Sequence, residues 1–181
     1  MSDIFTLESR DPEQYRRETR KSNLIIMITF AVLAMALASL SVHFFGNPEG
    51  GNTLWNLAGV LAGVIATTAV FKLHFWRQPW MEAARYGWRL KRSLMSITNI
   101  LHTVKDGVEQ GNPTALRVMR FYHLGLEQMY RLENNESALC DLLDESRSHL
   151  NTLQAQGIDP EQPSLDPAWI EQLKPKKARK R

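Results

Sequence analysis

The chain has 181 residues, a formal net charge of +3 and a mean hydropathy of −0.30. That length holds a pair of membrane helices and one small polar domain, and the polar balance excludes a chain immersed wholly in lipid. Cys140 is the single cysteine, which excludes an intrachain disulfide and suits a reducing cytosol.

Residues 1–23 form a polar N-terminal segment with five basic and five acidic groups. Leu24 to Phe45 then run for 22 residues without Asp, Glu, Lys or Arg, and Thr53 to Phe71 for 19. At 1.5 Å rise per residue, about 20 helical residues cross a hydrocarbon core near 30 Å, so residues 24–71 read as a two-helix transmembrane hairpin (24–45 and 53–71). A secretory signal is the competing reading of the first run, because Ala36-Leu37-Ala38 has the small-x-small form of a cleavage site. The long, half-acidic leader and the continuation to Phe45 argue against it. The connector from Gly46 to Thr53 is rich in Gly, Pro and Asn, which is turn chemistry.

Charge sets the expected orientation. The connector has no Lys or Arg, whereas Arg10, Arg16, Arg17, Arg20 and Lys21 precede the hairpin and Lys72, Arg77, Arg85, Arg89, Lys91 and Arg92 follow it. Basic flanks stay cytoplasmic, so both termini are expected inside and a short turn outside. Phe44, Phe45 and Trp55 would anchor the outer interface, and Phe71, Phe75, Trp76 and Trp80 the inner one. Small residues supply a helix-packing face: Ala31, Ala34, Ala38 and Ser41 on the first span, and Gly59, Ala62, Gly63 and Ala66 on the second. The same stripe would also serve a homo-oligomer. No ionised side chain lies within either span, and His43 and Asn56 sit near the outer ends, which argues against a transporter.

Residues 72–157 read as a cytosolic helical domain. Gly87, Leu90, Leu94, Ile97, Leu101, Val104 and Val108 share one helical face. Asn112-Pro113 restarts a helix with a cap and a first-turn proline, and Leu116, Met119, His123, Leu126, Met129 and Tyr130 form its stripe. A third helix opens at Glu136 with Leu139, Leu142, Leu143, Leu150 and Leu153 on one side, and Gly157 ends it. The expected fold class is all-α: a membrane-spanning hairpin followed by a small antiparallel bundle.

Residues 158–181 carry four prolines and read as an extended tail, with 166–173 a short helical exception that docks through Trp169 and Ile170. The tail ends in Lys174, Lys176, Lys177, Arg179, Lys180 and Arg181. Such a cluster beside an anionic leaflet contacts lipid, with RNA phosphate as the competing polyanion. It lacks the aromatic interleaving that base stacking needs.

No phosphate loop, HExxH, paired CxxC or nucleophile elbow occurs, and no cofactor is expected. The Asp141 and Asp144 carboxylates near Cys140 disfavour a thiolate. His123 with Glu127, and Glu145 with His149, are weak metal candidates. Their i, i+4 spacing departs from the Glu-x-x-His of di-iron bundles.

Three segments carry a resemblance: Asn56-Leu57-Ala58-Gly59-Val60, Trp88-Arg89-Leu90-Lys91, and Phe121 to Asn134 (FYHLGLEQMYRLEN). With the layout they resemble, over roughly residues 10–155, a gammaproteobacterial family listed only as a domain of unknown function. The resemblance implies a bacterial inner-membrane protein with two spans and a cytosolic helical part. It carries over no catalytic residue.

The expected activity is non-enzymatic: an interaction or scaffold protein acting through its cytosolic helices, on itself or on another protein. Tyr86, Trp88, Arg89, Phe121, Tyr122 and Tyr130 form the candidate contact surface. A metal-binding or enzymatic bundle, and a pore assembled from hairpins, are the alternatives.

Overall fold

A computed structural model describes residues 4–174. Among them lie seven α-helices and two very short strands: β1 (Phe5–Thr6), α1 (Pro12–Phe45), α2 (Thr53–Leu73), α3 (Glu82–Thr98), α4 (Leu101–Glu109), α5 (Pro113–Glu133), α6 (Glu136–Ala155), β2 (Ser164–Leu165) and α7 (Pro167–Leu173). The chain is all-α, as its periodicities predict. It divides into two compact units, residues 16–85 and residues 1–15 with 86–181.

The first unit holds the hairpin. Its two helices are long and apolar enough to cross a membrane. α1 extends twelve residues N-terminal to the apolar run, so its first turns are polar. Apolar side chains around both helices stay uncovered; Met27 is 67% exposed and Ile65 71%. Within the pair, the contact is made by small residues. A β-carbon placed on Gly63 would lie 2.7 Å from the Ala34 Cα, and one on Gly59 would collide with the backbone of Ala38. Ser41 and Ala66 are half-buried, whereas Ala31 and Ala62 face outward and lie outside this seam. The position in register is Thr67, whose hydroxyl donates to the Gly63 carbonyl at 2.8 Å, so the buried row is Gly59, Gly63, Thr67.

Polar contacts fasten both ends of the hairpin. In the turn, the Asn47 N–H donates to the Asn52 side-chain oxygen at 2.7 Å and the Asn52 amide returns to the Asn47 carbonyl at 3.0 Å. At the other end, the buried Ser22 hydroxyl donates to the Trp80 carbonyl at 2.7 Å. Arg85 donates to the Trp76 carbonyl at 2.8 Å.

The second unit is the helical domain. Leu90, Leu94 and Ile97 of α3, Val104 of α4, and Leu116, Val118 and Phe121 of α5 are buried. The long periodic stretch from residue 82 breaks between α3 and α4, at Asn99–Ile100. α5 begins as its sequence predicts: the Asn112 side chain accepts from the N–H groups of Thr114 and Ala115, with Pro113 in the first turn. It ends at Asn134 in the left-handed conformation (φ 59°). Gly125 lets α5 approach α3, because a β-carbon there would come within 2.9 Å of Leu94 Cδ2.

Two features of this unit differ from the sequence reading. Residues before the hairpin are part of its core rather than a separate segment. β1 pairs antiparallel with β2, Phe5 opposite Leu165 and Thr6 opposite Ser164. Glu8 is fixed on all sides: its N–H donates to the Tyr86 hydroxyl at 3.1 Å, its carbonyl accepts from Gln128 at 2.5 Å, and its carboxylate lies 2.5 Å from Arg10 and 3.7 Å from Arg89. In the tail after residue 157 the departure is β2, which buries Leu165; α7 forms where the short helix is expected, with Ile170 and Leu173 buried and Trp169 packed alongside.

Candidate functional site

α3 carries its apolar residues inward and leaves Trp88, Arg89, Arg92 and Met95 outside, with Asn99 exposed just after its end. β1 and α7 flank that outer side, and between them lies a cavity of about 560 Å³, open on one side. Phe5, Ile100, Leu165 and Ile170 give it an apolar floor, and all four belong to the core. Arg89, Arg92, Lys174 and Glu171 stand at its edge, three cations against one carboxylate. Lys174 is paired with Glu171 at 2.5 Å, and Arg89 with Glu8 at 3.7 Å. Arg92 differs: its guanidinium lies 5.1 Å from the Trp88 ring centroid, and no carboxylate among the described residues is within ion-pair distance. The volume falls in the range of small-ligand sites, roughly 300–1,000 Å³.

The candidate contact residues are therefore split. Trp88 and Arg89 are exposed at this groove. Tyr86 and Phe121 are fully buried core residues and present no surface to a partner. Their rings pack around Phe5, at 5.8 and 6.3 Å. Burial raises the Tyr86 hydroxyl pKa, and the phenol donates to Gln128 at 2.6 Å. Tyr122 and Tyr130 are half-buried. Arg92 and Ser93, which the sequence reading did not single out, complete the groove wall. Their signal was their place one turn after Trp88 and Arg89.

The weak metal candidates separate in a similar way. His123 and His149 meet between α5 and α6, with ring centroids 5.2 Å apart in an edge-on arrangement. The His149 Nε2–H donates to the Leu116 carbonyl at 3.0 Å, since a carbonyl can only accept. His123 is 2% exposed, and both its ring nitrogens lack hydrogen-bond partners among the described residues. Burial first, then the His149 ring, lowers its pKa from 6.5 to about 4. Burial lowers that of His149 too. Glu145 lies 4.0 Å from His123 but also 3.6 Å from Lys105. Glu127 turns away to Arg131, at 2.8 Å. The four do not converge, and among the described residues no group of three or more His, Cys, Asp or Glu is placed to share a metal ion. Arg120 closes this region by donating to the Pro160 carbonyl at 2.9 Å and to the Ser146 hydroxyl at 3.1 Å. Cys140 is a free, exposed thiol. Lys174 heads the basic cluster; Lys176, Lys177, Arg179, Lys180 and Arg181 lie outside the described residues.

Together these features define an all-α protein with an apolar helical hairpin and a polar helical unit bearing an open, basic-rimmed groove. The chain belongs to the family described as a protein of unknown function (DUF3087), whose model matches residues 5–170. No curated protein and no solved structure matches it. The matched range begins at Phe5 and ends at Ile170, so it takes in both strands of the β1–β2 pair.

Proposed function

We propose that the chain is a non-enzymatic integral protein of the bacterial inner membrane. Its hairpin crosses twice, both termini are cytoplasmic, and the helical unit binds a partner molecule at the groove beside α3. Support for the membrane comes from the uncovered apolar side chains of both long helices, which water would disfavour by about 25 cal/mol per Å². Support for the topology comes from charge and from pairing. β1 precedes the hairpin and β2 follows it, and strands that hydrogen-bond to each other must share a side of the bilayer. An even number of crossings lies between them. The basic flanks name that side as the cytoplasm.

The observation that carries the binding role is the groove: an apolar floor in a fixed core, an exposed Trp88, and an arginine with no carboxylate within ion-pair distance among the described residues. Among the described residues that line it, no nucleophile has a base at hydrogen-bond distance, the arrangement that acyl or phosphoryl transfer would use. In-cell photocrosslinking from position 88 tests the reading. A reproducible crosslinked neighbour is expected, diminished when Ser96→Trp fills the groove; only uncrosslinked monomer would overturn it.

A further inference from the structure

We propose that the groove takes an anionic phospholipid of the host bilayer, with one acyl chain on the Phe5–Leu165–Ile170 floor and its phosphate against Arg92. The inference rests on the groove being a binding site, and it names the ligand.

Three observations select this chemistry. The floor is apolar and the edge carries three cations against one carboxylate, so the fitting ligand has a greasy body and a negative head. Arg92 is the rim cation with no acid among the described residues, since Lys174 meets Glu171 and Arg89 shares Glu8 with Arg10. It is held over the Trp88 ring rather than by an acid, which leaves its planar donors for a phosphate. The side chains of Ser93 and Asn99 lie on the same wall without hydrogen-bond partners among the described residues, so a head group finds further donors there.

Other occupants fit less well. Segment 175–181 contains five basic residues and no acid, so the groove repels it. A second copy would have to bring an acidic surface that also projects an apolar anchor. Lipid is within reach by chain length alone, because residues 74–81 between α2 and α3 span at most about 28 Å when extended.

The test uses the full chain in mild detergent, titrated with dihexanoyl-phosphatidylglycerol and, separately, dihexanoyl-phosphatidylcholine. Binding is read by calorimetry and by the rise in unfolding temperature that a native-state ligand produces. Saturable binding of the glycerol lipid is expected, at least tenfold tighter than the choline lipid. Arg92→Gln should weaken it about tenfold, as loss of a charge-assisted contact does. Ser96→Trp should abolish it, and Arg117→Gln, away from the groove, should leave it intact. If Ser96→Trp fails to fold, Asn99→Trp closes the open side from an exposed position. Equal affinity for the two lipids, or binding that survives the tryptophan, would overturn the proposal, the latter by showing adsorption to a basic surface. Concentration-dependent dimerisation that competes with the lipid at the groove would overturn it in favour of a second copy. Should both lipids stay silent while Ser96→Trp still removes crosslinked neighbours in cells, the lipid assignment fails and the binding role stands. Should neither respond, both fail.

Discussion

Phe5 and Leu165 face each other across an antiparallel pair, although 160 positions and both apolar helices separate them in the chain. Strands of two residues supply too few hydrogen bonds to hold this contact alone. The ring does more. It is 9% exposed, lies 5.8 Å from Tyr86, and meets Phe121 edge-on at 6.3 Å. Phe5→Ala is therefore expected to destabilise the helical unit by about 3 kcal/mol. Thr6→Ala, which removes only an exposed hydroxyl contact with Ser164, should cost less than about 1 kcal/mol. Thermal unfolding of the full chain in mild detergent, followed by circular dichroism, measures both. Equal midpoints for the two variants would mean that β1 is not part of this core.

The seam of the hairpin makes a second prediction. Gly63 has no room for a β-carbon against Ala34, whereas Ala62, one residue earlier, faces outward. Gly63→Leu should force the helices apart and cost at least about 1–3 kcal/mol, since the clash is with backbone. Ala62→Leu should be neutral within about 0.5 kcal/mol. The yield of folded protein and its melting temperature in detergent separate the two. A stripe defined by composition alone would treat them alike.

The sequence carried the long elements because their signals are local. The runs without charge marked α1 and α2. The Asn112-Pro113 start marked the first turn of α5 closely. The break at Asn99–Ile100 was not legible, because neither residue is a glycine or proline and the apolar spacing runs on through it. The β1–β2 pair was hidden for another reason. Two-residue strands show no alternation, and no local feature of Phe5 points to Leu165. Tyr86 and Phe121 looked like surface aromatics beside arginines, yet an N-terminal segment that periodicity does not register covers them. The groove inherited that difficulty: Trp88 and Arg89 were visible as an aromatic, basic pair, but Arg92 was not marked as their neighbour and the floor beneath them comes from both ends of the chain.

Orientation gives a third prediction, readable through the natural thiol. Cys140 is exposed on α6, in the unit that pairs the two chain ends. In intact cells with a permeabilised outer membrane, a membrane-impermeant maleimide should leave it unlabelled. Labelling should appear once the inner membrane is opened. Reaction before that step would put the helical unit in the periplasm and overturn the topology.

His123 and His149 give the pH dependence. Burial lowers the pKa of both, that of His123 to about 4, and Glu145, the neighbouring carboxylate, offsets this only partly against Arg120 and Lys105. A histidine whose folded pKa lies below its unfolded value near 6.5 stabilises the fold in its neutral form. The unfolded chain then binds more protons between the two values. Stability is full above about pH 6.5, falls as the pH drops toward 4, and levels off below that for this residue. For His123 the full drop is about 3 kcal/mol, because 2.5 units at 1.36 kcal/mol each separate the two states. Since both ring nitrogens are without partners, His123→Leu removes no hydrogen bond among the described residues. It should flatten most of that slope and raise stability at pH 5 relative to the wild type. His149→Leu should instead cost about 1 kcal/mol near neutral pH, because the Leu116 carbonyl loses its donor. Unfolding midpoints measured from pH 4 to 8 for the three proteins decide the point. A His123→Leu profile parallel to the wild type would show that His123 binds protons alike in the folded and unfolded chain, with Glu145 cancelling the effect of burial.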